Sequence, residues 1–130
     1  MSRISISKHI YKTLSETPEI KKRVGMKIYP IATKSEVKFP FIVYERENVT
    51  TYYDKMGAAT NNIDVSIYVL AEEYTESEEI AEMVIKALDR KKAVYESYEV
   101  IDATLMDVPE TCISQTYVQQ VKMKFIIKDK

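Results

Sequence analysis

Apolar residues recur along this chain with two different periods, and the switches between them mark out its elements. Ile6, Ile10 and Leu14 fall four residues apart, which puts them on one face of a helix. The neighbouring serines suit its N-terminal cap, and Pro18 limits how far it runs. Pro18 also suits the first turn of a short second helix, Glu19 to Val24, which Gly25 ends. The two pieces read as one broken helical segment packed through a single face, with His9 on its solvent side.

Strand signals follow. Lys27-Ile28-Tyr29 is a short strand that Pro30 ends, because proline cannot donate to a ladder. A polar loop, Ala32 to Lys38, leads to Pro40 and the β-branched and aromatic strand Phe41 to Arg46. From Asn62 to Ala71 the alternation is clean: Ile63, Val65, Ile67 and Val69 face one way, while Asp64, Ser66 and Tyr68 face the other. Thr75-Glu76-Ser77-Glu78 reads as a capping box opening a helix that runs to about Asp89. Its buried stripe is Ile80, Val84 and Leu88, flanked by Met83 and Ala87. Its wet stripe is Glu78, Glu82, Lys86 and Arg90, with acids early and bases late as the helix dipole favours. Tyr98 to Val108 and Tyr117 to Ile127 are two further strands. In the second, Val121, Met123, Phe125 and Ile127 alternate with Gln120, Lys122, Lys124 and Lys128.

Consecutive strands with short connections favour antiparallel pairing, and helices then cover one face. The expectation is an α+β fold, one domain spanning residues 1–130: a mainly antiparallel sheet of four to five strands with two helices packed on one face. The other face, with Asp64, Ser66, Lys122 and Lys124, is left for water or a partner.

Length and composition agree with an ordinary globular domain. The chain has 130 residues, 45% hydrophobic and 30% charged, which is enough to form a core without disulfides or metals. Its formal charge of −1, with signs mixed along most of the chain, argues against the basic field of a phosphate-backbone binder. Met1-Ser2-Arg3-Ile4-Ser5 has no signal-peptide core, and the apolar runs are far too short for a membrane span, so a cytosolic protein is expected.

Candidate chemistry is sparse. The single histidine, His9, reads as a surface residue, not a general base, and with the single cysteine, Cys112, it cannot make a usual zinc ligand set. Cys112 cannot form an intrachain disulfide and reads as a small half-buried side chain in a connection between strands. Two glycines, Gly25 and Gly57, do not write a phosphate-cradling loop. The acids Glu76, Glu78, Glu79 and Glu82 are explained by a solvated helix start. No catalytic residue, cofactor site or metal site is expected. Ten tyrosines remain, with Tyr52-Tyr53 and the Tyr95/Tyr98 pair prominent. Without a basic groove or a glycine-flanked aromatic motif, they favour protein contact over base stacking.

One region carries a resemblance. Pro18-Glu19-Ile20-Lys21-Lys22-Arg23-Val24-Gly25, then Lys27-Ile28-Tyr29-Pro30, a loop, and Phe39-Pro40-Phe41-Ile42-Val43-Tyr44 resembles the opening of the tail-completion proteins of long-tailed bacteriophages. The later order is similar too: an alternating strand, a helix ending near Ala87-Leu88, and a final strand pair. The motifs are structural punctuation without a catalytic signature. What the resemblance implies is a structural part, not an enzyme, that completes the tail tube and joins it to the head connector. Its implied partners are further copies of itself in a ring (six-fold in relatives), the tail-tube protein and the head-connector protein. DNA would pass through the ring without specific binding, and no membrane is involved. It would sit in the bacterial host cytoplasm during assembly and then in the virion tail, from a phage or a prophage. Another neck or head-completion component is the alternative within the class. A small nucleic-acid-binding α+β module is the alternative outside it, with an enzyme of unrecognised type last.

Asn48 to Asn61 does not match that pattern and lacks an apolar period, so it reads as a projecting, mobile loop. Its centre, Tyr52, Tyr53, Asp54, Lys55 and Met56, offers two aromatic anchors, one charge of each sign and a flexible Met. These five residues are the candidate subunit contact.

Overall fold

The protein was analysed as a computed structural model that describes residues 5–32 and 36–130. Ser2, one of the serines near the first helix, and residues 33–35 of the Ala32–Lys38 loop lie outside the described residues. Among the described residues there are three helices: α1 (Ile6–Glu16), α2 (Pro18–Val24) and α3 (Tyr74–Leu88). Ser5 occupies the N-cap position of α1 without a side-chain cap bond. Pro18 opens α2, and Gly25 closes it at φ 64°, a conformation that costs glycine little. The break between the two helices falls where the proline signal put it.

In α3 the expected capping box is absent. Glu73 is the cap residue and makes no side-chain cap bond, so Thr75 already lies inside the helix. Ser77 turns inward, where its Oγ donates to the Tyr74 carbonyl at 2.6 Å. The buried stripe is otherwise as expected, with Ile80, Val84 and Leu88 fully covered.

The strands are β1 (Ile28–Pro30), β2 (Phe41–Tyr53), β3 (Ala59–Ala71), β4 (Ala93–Val94), β5 (Tyr98–Asp107), β6 (Glu110–Ile113) and β7 (Thr116–Asp129). They form one mixed sheet in the order β1-β2-β3-β7-β5-β4, with β6 also beside β7. This is more than the expected four to five strands, and three helices replace the expected two. Every pair is antiparallel except β1 with β2, which is parallel. The connection from Ile31 to Pro40 is long enough to return the chain to the starting end of β1, so the short-connection argument fails there. β5 and β6 lie end to end along one side of β7, beside Lys122–Asp129 and Thr116–Gln119 respectively.

The largest correction is at Asn48–Asn61. It is not a loop: β2 and β3 continue through it as a ladder from Asn48↔Asp64 to Tyr53↔Ala59. The alternation was hidden because two inward positions at this end are polar. Asn61 is fully buried, and its Oδ1 accepts from Thr51 Oγ1 at 2.7 Å.

The core lies between the helices and one face of the sheet. Ile63, Val65 and Ile67 of β3 stand opposite Phe125, Met123 and Val121 of β7, and all six are buried. Ile6, Ile10 and Leu14 of α1, Ile20 and Val24 of α2, and the α3 stripe close over them in one cluster. Each such side chain contributes about 1.5–3 kcal/mol by leaving water.

His9 belongs to this core, contrary to the surface position expected for it. It is only 2% exposed. Its ring lies edge-on to Tyr95 and Phe125, and Nδ1 is 2.7 Å from Tyr95 Oη. The expectation followed the i+4 spacing of Ile6, Ile10 and Leu14 and overlooked that i+3 positions share the same stripe. Nε2 is buried without a protein partner. A proton on Nδ1, donated to Tyr95, leaves only a lone pair there, the cheaper orphan.

Burial, with the Lys12 charge as a second cause, pushes the His9 pKa down from 6.5 to about 4. Below pH 6.5 the unfolded chain takes up a proton that the folded chain refuses until about pH 4. The histidine's contribution is therefore fully present above that window and is lost as pH falls through it, on the order of 3 kcal/mol in all. In urea denaturation at pH 7 and at pH 4.5, we expect the wild type to lose clearly more stability than His9→Leu. Equal losses would show that His9 does not carry the effect.

Candidate assembly surface

Tyr52, Tyr53, Asp54, Lys55 and Met56 come together at the tip of the β2–β3 hairpin. The turn has an internal frame. Asp54 N–H donates to the Ala58 carbonyl at 2.9 Å, and Gly57 N–H donates to the Asp54 carbonyl at 3.1 Å. Asp54 Oδ1 accepts from the backbone N–H of Met56 at 2.8 Å and of Ala58 at 2.9 Å. Gly57 supplies φ 87°, which any side chain would strain. On this frame Tyr52 is 56% exposed, Tyr53 65% and Met56 92%. The candidate contact thus rests on a hydrogen-bonded turn in place of the mobile loop expected for it.

Backbone hydrogen-bonding capacity is the second feature. An uncovered strand edge offers rows of N–H and C=O groups, so proteins normally seal one. Here β1 covers Ile42–Tyr44 of β2, and Ile31 N–H extends that cover by donating to the Tyr44 carbonyl at 2.7 Å. Among the described residues no strand lies beside Glu47–Tyr52 on that side. At the opposite edge β4 covers Glu99 and Val100. The chain after α3 then seals β5: Arg90 N–H donates to the Ala103 carbonyl at 2.8 Å, and Leu105 N–H donates to Asp89 Oδ1 at 2.9 Å. The Arg90 guanidinium also donates to Asp102 Oδ2 at 2.9 Å. The seal stops there, and β6 has a strand on its β7 side only.

Exposed apolar side chains follow the same two edges. Met26 and Ile31 flank β1, and Tyr52, Tyr53 and Met56 lie along the β2–β3 hairpin. Val94, Met106 and Ile113 lie on β4, β5 and β6, and exposed Tyr74 donates to Glu110 of β6 at 2.8 Å. A shallow groove of about 290 Å³ beside the first edge is lined by Ile6, Ile10, Pro30, Ile31 and Tyr44 among others.

The helix-free face between the edges is polar, but it is not simply wetted. Ser66 is fully buried and donates to the Glu47 carboxylate. Gln120 Nε2 donates to Ser66 Oγ at 2.9 Å and to Tyr68 Oη at 3.3 Å, and Tyr68 donates to Glu45 Oε1 at 2.9 Å. Burial, and then the bond to Glu45, pushes the Tyr68 phenol up. This network joins β2, β3 and β7 across the face and fixes the side chains there.

Arg23 lies 3.6 Å from Glu76 and 3.4 Å from Glu79, so two of the acids at the start of α3 have a structural partner. Among the described residues no group of three or more acids, histidines and cysteines is placed to hold a metal. Cys112 is exposed on β6, not half-buried in a connection. β6 escaped sequence reasoning because its two-residue turn uses Ser114 and Gln115 at positive φ, where Asn-Gly would have been the readable signal. No helix is long and apolar enough to cross a membrane among the described residues.

The sequence pattern of the family described as tail completion protein gp17 matches residues 8–127. The chain therefore belongs to that family, and with it to the structural tail proteins of bacteriophage virion assembly. A sequence comparison with curated proteins finds no match. Among solved structures, the chain is similar to one in the virion of a native gene transfer agent particle. Identity is 15%, the match covers 92% of this chain and 91% of that one, and the TM-score is 0.81. At that identity the likeness speaks for the fold alone.

Two variants test this surface locally. Asp54→Ala removes both side-chain bonds of the turn, and we expect a loss of about 1–2 kcal/mol with faster amide exchange at Met56 and Ala58. Unchanged exchange there would contradict the framing role of Asp54. Cys112→Ser should leave the melting temperature within experimental noise, since the thiol is exposed; a shift of several degrees would show a packing role.

Proposed function

We propose that this chain completes the end of a phage tail tube as a ring of subunits and presents a second surface to the head connector. It acts as one structural domain, without catalysis, assembling in the host cytoplasm and remaining in the virion tail. The observation that carries the reading is the family match over residues 8–127. The ring is supported by the exposed hairpin tip, by two uncovered strand lengths on opposite edges, and by the apolar side chains that follow them. Such a part needs a rigid sheet with two different contact edges and needs no active site. The gene transfer agent virion is a related setting in that its solved particle contains a chain of this fold.

The nucleic-acid module gains nothing. Lys122 and Lys124 share their face with Asp64, Glu45 and Glu47, so no single-sign groove is available for a phosphate backbone. DNA passing through a ring needs no more than clearance.

The experiment is a double truncation at the tip. Tyr52 and Tyr53 contribute little to the core, so Tyr52→Ala with Tyr53→Ala should move the melting temperature only slightly. Loss of anchoring aromatics from a contact costs about 2 kcal/mol or more each, which a weak pairwise contact cannot absorb. We expect the double variant to fail to cap tails in a reconstitution scored by electron microscopy. Normal capping, or a fall of several degrees in melting temperature, would overturn the assignment of the tip as a contact.

A further inference from the structure

The two uncovered strand lengths are matched in a way that tells which surface of one copy meets which surface of the next. We propose that copies join head to tail by strand addition, the outer edge of β2 at Glu47–Tyr52 pairing with the outer edge of β6 at Glu110–Ile113 of a second copy. This rests on the ring reading above and names the contact within it.

Three observations carry it. First, sealing is selective. β1 and the Ile31 amide cover the start of β2, while β4, Asp89 and Arg90 cover β5 as far as Leu105. Bare edges are a hazard that proteins usually remove. Among the described residues the terminal strands β1 and β4 are only three and two residues long, whereas Glu47–Tyr52 and Glu110–Ile113 are longer runs with no strand on their outer side and mark places that something covers. Second, the strand directions fit. β2, β3, β7 and β6 are antiparallel in succession, so β2 and β6 run in opposite senses. A second copy in the same orientation therefore brings its β2 antiparallel to β6 of the first and continues the pattern. An isologous pairing of two β2 edges would leave both β6 edges bare. Third, the two lengths lie at opposite ends of the sheet. β6 is beside Thr116–Gln119 of β7, whereas Asn48 and Tyr52 are level with Lys124 and Lys128. Joined copies are then offset along the strands, and an offset of that kind is what closing a sheet upon itself requires.

Directed cross-linking tests it in the full chain. With Cys112→Ser as background, Thr111→Cys is combined in turn with Asn48→Cys or Thr50→Cys, positions on the helix-free face of the two edges, so that the two pairs sample the register. Copies are linked by a short bismaleimide on reconstituted tails and at high protein concentration. We expect at least one pair to give a ladder of multimers on a denaturing gel, while each single-cysteine chain gives none. Dimers formed equally well by one of the single-cysteine chains would show an isologous contact and overturn the proposal. So would the absence of ladders from both pairs when the chains cap tails normally, which leaves the tail-completion reading intact. Failure of the unmodified chain to cap tails would sink that reading and this contact with it. Amide exchange gives an independent readout: on assembly, protection should rise in both 47–52 and 110–113. Protection confined to helix segments would count against strand addition.

Discussion

Three antiparallel neighbours, β2, β3 and β7, bury one face under the helices and bind the other with a polar network, and the rest of the molecule hangs on that slab. Ile63, Val65, Ile67 and their β7 partners Phe125, Met123 and Val121 supply the apolar floor. α1, α2 and α3 are each amphipathic through a single stripe and cannot remain folded without it. A one-residue slip of β3 against β7 would turn Asp64 and Ser66 inward and expose the isoleucines and valines. On the reverse face, bonds among Glu47, Ser66, Gln120, Tyr68 and Glu45 hold the same register from the polar side.

Because the slab is fixed from both faces, its edges can be specialised. Each edge carries a seal and a gap. The seals are β1 with Ile31 on one side, and β4 with Asp89 and Arg90 on the other. The gaps carry Tyr52 and the adjoining tip at one edge, and Ile113 on a wholly exposed β6 at the other. In the proposed ring, short, staggered gaps would make each contact between copies small and a free pair weak, while closure would multiply the contacts.

Much of this was legible in the residues. Pro18 and Gly25 bound α2, the alternation from Ile63 to Val69 set β3 in its register, and Val121, Met123, Phe125 and Ile127 of the last strand are all buried. The misses have local physical causes. Inward-facing Thr51 and Asn61 hydrogen-bond to each other and interrupt the apolar period that would have revealed the hairpin. His9 sits at an i+3 position of the α1 stripe and is held by Tyr95, far away in sequence, which no local pattern announces. Ser114 and Gln115 form a turn usually flagged by Asn-Gly, and the parallel β1–β2 pair depends on a connection whose path composition does not reveal. Composition singles out the five tip residues as a candidate contact, but it suggests a mobile loop where the structure has a hydrogen-bonded turn. A framed turn presents them already ordered, so less entropy is lost on contact.

The central claim is that this small sheet is a ring-forming part at the end of a tail tube. Imaging the purified chain mixed with uncapped tail tubes by electron microscopy tests it most directly. The account requires density for a closed ring of copies at one end of the tube, with the sheets side by side around the channel. Copies bound along the tube wall, or a free two-fold dimer that leaves the ends bare, would contradict it.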